Sequence, residues 1–274
     1  MKTQPDFRER PIPLSASQED TDEYKNVKID VGSAEHGEPL VDLAHFGIAS
    51  QSFYGRMDGL NAPLYRPFNS GLRRVYARKS VARKLRQANA LLKPYGMKVV
   101  VVDGFRPIAV QAELWAWMLD RARALLPGGT PGAQEAYALR YASNPAHFRP
   151  DDANSWPTHA TGGAVDLTLA EIGTGNRAYM GGIYLDSSAF SSTRYYEELE
   201  NTDSASQLEA RQNRRLLYWA MISVGFVNYP FEWWHYDYLT QASVMNLGMP
   251  EGLKAHYGLA NGGNSPEAGQ ERRG

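Results

Sequence analysis

The 274-residue sequence contains no cysteine. Disulfide bonds and thiolate metal ligands are therefore both excluded, so a metal site in this chain has to use histidine and carboxylate side chains. The absence of cysteine does not assign a compartment, because cytosolic and exported proteins can both lack it.

The chain also lacks an excess of charge of either sign. It has 29 basic and 30 acidic residues, for a formal net charge of −1. Proteins that hold nucleic acid or anionic membranes by bulk electrostatics carry a marked positive excess. We therefore expect no nucleic-acid partner and no membrane partner, and a small or neutral ligand fits better. The sequence leaves the oligomeric state open.

No apolar run in the sequence is long enough to cross a bilayer. The first twenty residues, MKTQPDFRERPIPLSASQED, carry charges where a secretory signal needs an apolar stretch. We therefore expect a soluble protein and a cytoplasmic location by default. A periplasmic or exported location would follow if a signal peptide was removed before this sequence begins.

Polar segments at both ends flank one predicted domain. Residues 1–37 are polar and aperiodic, which predicts an N-terminal arm lying on the domain, and residues 258–274 predict a disordered tail. No repeat or linker divides residues 38–257. The order of its elements predicts an α+β class with a mainly antiparallel sheet that carries the site, and helices packed on one side of that sheet.

Hydrophobic periodicity places the main elements of this domain. Apolar residues recur at helical spacing over residues 81–92, 110–126 and 206–224, and residues 97–102 (MKVVVV) predict a buried strand. Residues 163–169 alternate as a strand, with Asp166 on the face opposite the apolar side chains. The basic run Asn-Arg-Arg within the third helix is most simply its solvated face.

Two short stretches far apart in the chain, SWPTHATGGAVD and EWWH, contain the residue types of a metal site. His159, Asp166 and His235 offer two imidazoles and one carboxylate, the open three-ligand set of a catalytic zinc ion, one per chain. Glu232 is a spare carboxylate that could take a proton from water. Either stretch alone fits a hydrogen-bonded structural histidine, whereas the pair favours a metal site.

The spacing of Glu232 and His235 sets a geometric condition. Residues three apart in a regular strand point to opposite faces, so both can reach one metal only if Glu232 lies at an irregular strand start or beside a bulge. Arg106 follows the predicted strand 97–102 in the corner DGFRP. Its guanidinium could bind an oxyanion or a carboxylate there, although such a corner is also a common place for a surface arginine.

These residues lie in a sequence that resembles the VanX-type D-alanyl-D-alanine dipeptidases, within a fold group that includes lysostaphin-type and hedgehog-like zinc domains. The blocks DGFRP, HATGGAVDLTL, MG, QNRRL and EWWHY follow the family order over roughly residues 38–240. The resemblance implies that His159, Asp166 and His235 bind zinc. It also implies that Glu232 is the catalytic base and that Arg106 stabilises the reacting carbonyl oxygen.

Two further residues become candidates for substrate binding through this resemblance. In the dipeptidases, an aromatic–Asp pair after Met-Gly places an Asp that receives the substrate amine. In this chain the acid comes one residue late, at Asp186, which puts amine recognition and strict dipeptide preference in question. Tyr54 lies in an aromatic loop comparable with one near the substrate in the family, and simple packing is the alternative for it.

The resemblance implies zinc-dependent hydrolysis of D-Ala-D-Ala, or of a similar small cell-wall dipeptide, by a metal-activated water. The alternatives are a D,D- or L,D-carboxypeptidase on peptidoglycan peptides, a non-enzymatic zinc-binding module, and an exported muralytic endopeptidase. Glu232 and Arg106 together argue against the non-enzymatic module. The long loops 127–157 and 171–204 favour an enclosed pocket over the open cleft that an endopeptidase needs.

Overall fold

The computed structural model describes residues 6–15, 22–200, 204–263 and 266. Within them, β1 (Leu40–Asp42) pairs with β2 (Tyr76–Arg78), and a four-stranded sheet has the order β3 (Met97–Asp103), β4 (Ala164–Glu171), β6 (His235–Asp237), β5 (Val227–Asn228). The helices are α1 (Lys79–Leu92), α2 (Ile108–Leu125), α3 (Pro131–Leu139), α4 (Ala205–Ile222) and α5 (Gln241–Asn246). All strand ladders are antiparallel, which confirms the predicted α+β class with an antiparallel sheet.

Helices α1 and α4 pack together against the sheet face formed by β3 and β4. On β4 the predicted alternation holds, because Val165, Leu167 and Leu169 join this core while Asp166 points to the other face. Each Val or Leu side chain buried in this way stabilises the fold by about 1.5–3 kcal/mol. The core therefore fixes the strand from which Asp166 projects.

Helix α4 starts at a capping box, and one of its faces is buried although the sequence predicted that this face is exposed to solvent. The helix begins with a capping box, in which the Ser204 hydroxyl accepts from the amide of Gln207 and the Gln207 side chain accepts from the amide of Ser204. Asn213 and Arg214 are buried, so the prediction that they form a solvated face was wrong for both. The loop 178–193 covers this face of α4.

A second cluster of buried side chains joins α2, α3 and the aromatic loop. It contains Val102, Leu114, Met118, Phe53 and Tyr54. Helix α3 lies in the segment 127–157, one of the two long loops expected to enclose the pocket. This part of the structure therefore stands beside the sheet and supplies one side of the cavity described below.

The N-terminal residues 6–15 lie against the domain. The ring of Phe7 stacks on Tyr95 with 6.1 Å between centroids, and the Arg10 guanidinium lies 3.2 Å from the centre of the Trp219 ring. Aromatic stacking and cation–π contacts each contribute on the order of 0.5–1.5 kcal/mol. The remaining residues before 22 lie outside the described residues.

At the other end, residues 258–263 and Pro266 are the described part of the predicted disordered tail. The amide of Ala260 donates to the carbonyl oxygen of Ala160 at 3.0 Å, next to His159. The rest of that segment lies outside the described residues, and the domain boundaries stay predictions. Across the described ranges, none of the helices combines the length and the apolar character needed to span a bilayer.

Candidate active site

The three candidate metal ligands meet where β4 lies beside β6. Asp166 pairs with His235 in the strand register, which places their side chains next to each other. His159 lies in the 3₁₀ helix Thr158–Thr161 just before β4. Gly162 then turns the chain back with φ 74°, a left-handed conformation that favours glycine. This turn brings His159 over Asp166.

The ligand atoms of these residues have the separations that zinc requires. The His159 Nε2 to His235 Nδ1 distance is 3.2 Å, His159 Nε2 to Asp166 Oδ2 is 3.4 Å, and His235 Nδ1 to Asp166 Oδ1 is 3.0 Å. Ligands held tetrahedrally at about 2.0–2.1 Å from zinc lie about 3.3 Å apart. The donor set therefore fits a zinc ion with little movement of the side chains.

Hydrogen bonds at the opposite ring nitrogens orient both imidazoles. His159 Nδ1 lies 2.8 Å from the carbonyl oxygen of Gly104, and His235 Nε2 lies 2.9 Å from Asp237 Oδ2. A carbonyl or carboxylate oxygen only accepts, so these nitrogens donate, leaving His159 Nε2 and His235 Nδ1 as metal-binding lone pairs. Asp237 is itself held by the Thr240 hydroxyl at 2.7 Å.

The charge state of Asp166 suits a ligand. Burial by itself raises the pKa of its carboxyl, but the imidazoles of His159 and His235 outweigh burial and hold that pKa well below the ordinary value. The Tyr184 hydroxyl donates to Asp166 Oδ2 at 2.7 Å. Burial and the Asp166 charge raise the pKa of Tyr184 well above its ordinary value, so this hydroxyl keeps its proton and donates.

Glu232 meets the geometric condition set by its spacing from His235. Strand β6 begins at His235, and Glu232 lies in the turn before it, where its carbonyl oxygen accepts from the His235 amide at 3.1 Å. Its carboxylate Oε2 is 3.9 Å from His235 Nδ1, whereas the Asp166 carboxylate is 3.0 Å from the same atom. Glu232 therefore lies beside the ligand set and not within it.

Arg106 is buried and opens onto the same cavity as the ligand set. Its Nε donates to Asp103 Oδ2 at 2.8 Å, its Nη1 to Gln111 Oε1 at 3.0 Å and its Nη2 to Asp166 Oδ2 at 3.3 Å. Burial opposes the guanidinium charge, but the phenol of Tyr54 and the carboxylates around it outweigh burial and raise the pKa of Arg106. The guanidinium therefore stays charged and is held in one orientation.

One cavity of about 340 Å³ is lined by the ligand set, Glu232 and Arg106. It lies near the lower end of the range of about 300–1,000 Å³ for small-molecule sites. Its walls come from the ligand set and Glu232, from residues 136–143 in and after α3, from α5, and from Tyr24, Leu114 and Leu185. The cavity is therefore of a size that suits a small ligand.

Comparison with known proteins supplies the family. Residues 68–251 match the family model Peptidase_M15, described as D-ala-D-ala dipeptidase. The chain belongs to this family. A D-alanyl-D-alanine dipeptidase of Synechocystis sp. is 34% identical over 202 residues, 66% of this chain and 77% of that protein. One from Enterococcus faecalis is 27% identical over 169 residues, 61% of this chain and 75% of that protein.

Among solved structures, VanYB in complex with D-alanine-D-alanine aligns with a TM-score of 0.40 and 16% identity. The alignment covers 66% of this chain and 82% of that one.

Two residues predicted to bind substrate do not line the cavity of this dipeptidase-family chain. Asp186 points elsewhere, and its Oδ1 accepts from the Ser188 amide at 2.9 Å, while the preceding Leu185 faces the cavity. Tyr54 is buried behind Arg106, with the guanidinium 5.2 Å from its ring and its hydroxyl 3.0 Å from that of Tyr184. Both substrate-binding assignments stay predictions, and Tyr54 contacts the site through Arg106 and Tyr184.

Three residues of this family member were not identified from the sequence. Asp237 lies two residues after His235 on the same strand face, a spacing that could have revealed it. Tyr184 lies two residues before Asp186, in a loop without periodicity. Tyr24 lies in the predicted N-terminal arm, and no local sequence pattern marks it as part of the cavity.

Proposed function

We propose that this chain is a zinc-dependent D,D-dipeptidase that hydrolyses D-Ala-D-Ala or a similar small cell-wall dipeptide. The observation that carries the proposal is the enclosure of a zinc-fitting ligand set, the Glu232 carboxylate and the Arg106 guanidinium in one small cavity. Membership in the dipeptidase family supports it. A non-enzymatic zinc site would need neither the acid nor the arginine at these places.

The zinc ligands, Glu232 and Arg106 have different roles in the proposed reaction. Zinc held by His159, Asp166 and His235 would supply a Lewis acid that polarises the scissile carbonyl and makes a nucleophile of water at neutral pH. Glu232, next to the ligand set, takes the proton from the attacking water and returns it to the leaving amine. Arg106 donates to the oxygen of that carbonyl as negative charge develops on it.

The supporting geometry lies in how these groups are held. Gly104 and Asp237 orient the imidazoles, and Asp103 and Gln111 hold the Arg106 fork from its Nε and Nη1 sides. Groups fixed before the substrate arrives need no reorganisation during the reaction, which is the main source of electrostatic catalysis.

The test is the product pattern with three peptides before and after metal removal. We expect hydrolysis of D-Ala-D-Ala, little of L-Ala-L-Ala, loss with a chelator and recovery with zinc, at about one zinc per chain. Active protein without bound metal would contradict the proposal. Hydrolysis of only a longer peptide ending in D-Ala-D-Ala would assign a carboxypeptidase instead.

Two variants separate the ligand from the base. Glu232→Ala should keep close to one zinc per chain and lose several orders of magnitude in kcat, because it removes the proton acceptor only. His235→Ala should lose the metal itself. Metal content and turnover are measured on the same preparations, and equal loss of zinc in both variants would make Glu232 a ligand.

A further inference from the structure

One segment outside the family match reaches the active-site cavity. The match begins at residue 68, yet Tyr24 lines the cavity. Tyr24 is half-buried, whereas His159, Asp166 and His235 are only 5%, 1% and 8% exposed. Tyr24 therefore lies toward the outer rim, with the ligand set at the base. We call residues 22–31 the cap segment.

The cap segment is attached to the domain by buried, specific hydrogen bonds. The side-chain amide of Gln241 donates to the carbonyl oxygens of Lys25 at 2.7 Å and Val27 at 2.8 Å, and Gln241 is only 3% exposed. An amide group has two N–H donors, and both are used here. Through these two bonds, Gln241 holds the main chain on either side of residue 26.

Main-chain pairing holds the same segment further along. The amide of Asp30 donates to the carbonyl oxygen of Ala255 at 2.7 Å, and the amide of Ala255 donates to that of Lys28 at 3.0 Å. The residues held by Gln241 and by this pairing, 25, 27, 28 and 30, come directly after Tyr24 in the chain. The position of Tyr24 is therefore determined by the folded domain and not by the arm alone.

The anchor of the cap segment is continuous with the active site. Gln241 is the first residue of α5, and Thr240, which caps α5, donates to Asp237, the partner of His235. Other residues of α5, Ala242, Met245 and Asn246, line the cavity beside Tyr24. The cap segment and the ligand set are thus both held by residues 240 and 241, at the start of α5.

We infer that Tyr24 sets the upper limit on substrate length, closing the rim so that a dipeptide fits and a longer peptide meets the ring. The inference rests on the proposed function and adds a specificity-determining residue that the family match does not include. The cavity of about 340 Å³ already suits a small ligand. Truncation of Tyr24 to alanine removes a ring about as large as one small amino-acid residue from the lining of this cavity.

The test compares D-Ala-D-Ala with D-Ala-D-Ala-D-Ala on the full-length, zinc-loaded protein. The wild type should prefer the dipeptide. Tyr24→Ala should raise kcat/KM for the tripeptide about tenfold or more, the size of effect that one group in a pocket wall produces, with little change for the dipeptide. Tyr24→Phe keeps the ring and should keep the wild-type preference. The readout is the ratio of the two kcat/KM values.

Two more variants distinguish an effect of the cap segment on substrate length from a general effect of mutation. Gln241→Leu leaves Tyr24 unchanged but removes both anchoring bonds, and it should shift the ratio in the same direction as Tyr24→Ala. It also decides the matter if Tyr24→Ala does not fold. Tyr179→Ala truncates a tyrosine that is 49% exposed and outside the cavity lining, and it should leave the ratio unchanged.

The outcomes for the inference and for the proposed function differ. If the wild type hydrolyses the dipeptide but Tyr24→Ala and Gln241→Leu leave the ratio unchanged, the inference is overturned and the proposed function stands. Equal use of both peptides by the wild type also overturns the inference. If the wild type shows no zinc-dependent hydrolysis of the dipeptide, the proposed function fails and the inference falls with it.

Discussion

Arg106 and Arg214 are both buried, at 7% and 2% exposure, but their partners differ. Arg106 donates to side chains, including the carboxylates of Asp103 and Asp166, and opens onto the cavity. Arg214 donates to three main-chain carbonyl oxygens, those of Met180, Phe190 and Ser192. One guanidinium is part of a charged network at a cavity, and the other ties a loop to α4.

The pKa directions of the two arginines follow from these partners. Burial lowers the pKa of Arg214 to about 10, because carbonyl dipoles and distant charges only partly replace the lost hydration. Burial also acts on Arg106, but the phenol of Tyr54 and the neighbouring carboxylates reverse the shift and raise its pKa. Burial of an arginine therefore does not mark function. Arg106 differs from Arg214 because it donates to Asp166, a member of the ligand set, and because it lines the cavity.

Among the arginine substitutions, Arg106→Lys should have the largest effect. Lysine keeps the charge but loses the planar fork that contacts Asp103, Gln111 and Asp166 together. We expect kcat to fall by about 10²–10³, with KM and zinc content changed much less, because the interaction forms mainly as charge develops on the substrate. Steady-state kinetics and metal analysis measure this. Unchanged kcat with a raised KM would instead make Arg106 a clamp for the substrate carboxylate.

Arg214→Lys tests the other side of the comparison. A lysine cannot donate to three carbonyl oxygens in different directions, so some of them lose their partner in a buried place. We expect the free energy of unfolding to fall by about 2–4 kcal/mol, measured by urea denaturation of the zinc-free protein. Zinc stoichiometry should stay at the wild-type value. A loss of turnover without a loss of stability would place Arg214 in the active site.

The smallest effect concerns Arg215, the next residue on α4, which is only half-buried. Its Nε and Nη2 donate to the two carboxylate oxygens of Glu197 at 2.6 and 2.7 Å. We expect Arg215→Gln to lower the free energy of unfolding by about 0.5–1 kcal/mol at pH 7. The comparison with Arg214→Lys, made under the same denaturation conditions, then separates a half-exposed ion pair from a buried guanidinium.

The pH dependence of the Arg215→Gln effect has a definite sign. Burial raises the pKa of Glu197, but its hydrogen bonds with Arg215 outweigh burial and lower it. A lowered carboxyl pKa adds stability above the unfolded-state value, and this stability is lost as the pH falls through the folded-state value. The difference between wild type and Arg215→Gln should therefore shrink below the ordinary glutamate pKa of 4.5. A stability difference that grows toward acid pH would show that the Arg215–Glu197 ion pair is not its source.

Local patterns in the sequence were sufficient for the elements and for the residue types of the site. The alternation on β4 placed Asp166 opposite an apolar face, and helical periodicity located α1, α2 and α4 within a few residues. The spacing of Glu232 and His235 required an irregular strand start, which the structure contains. These features depend on neighbours in sequence, because backbone geometry repeats every 2 residues in strands and every 3.6 in helices.

The same patterns did not distinguish residues whose environments depend on distant segments. Arg214 and Arg215 are adjacent and chemically identical, yet only Arg214 lies beneath the loop 178–193. Leu185 faces the cavity and Asp186 does not, because a left-handed φ of 60° at Leu185 turns the chain between them. Periodicity gives no account of such a turn in a loop.

By itself, the sequence determined the class of fold, the candidate ligands and the spare carboxylate, because each follows from residue type and short-range spacing. Only the tertiary structure decided which arginine faces the cavity, which residue accompanies His235, and that Tyr24 reaches the rim. The physical reason is that burial and hydrogen bonding between segments far apart in the chain depend on how those segments pack, and no local window contains both partners.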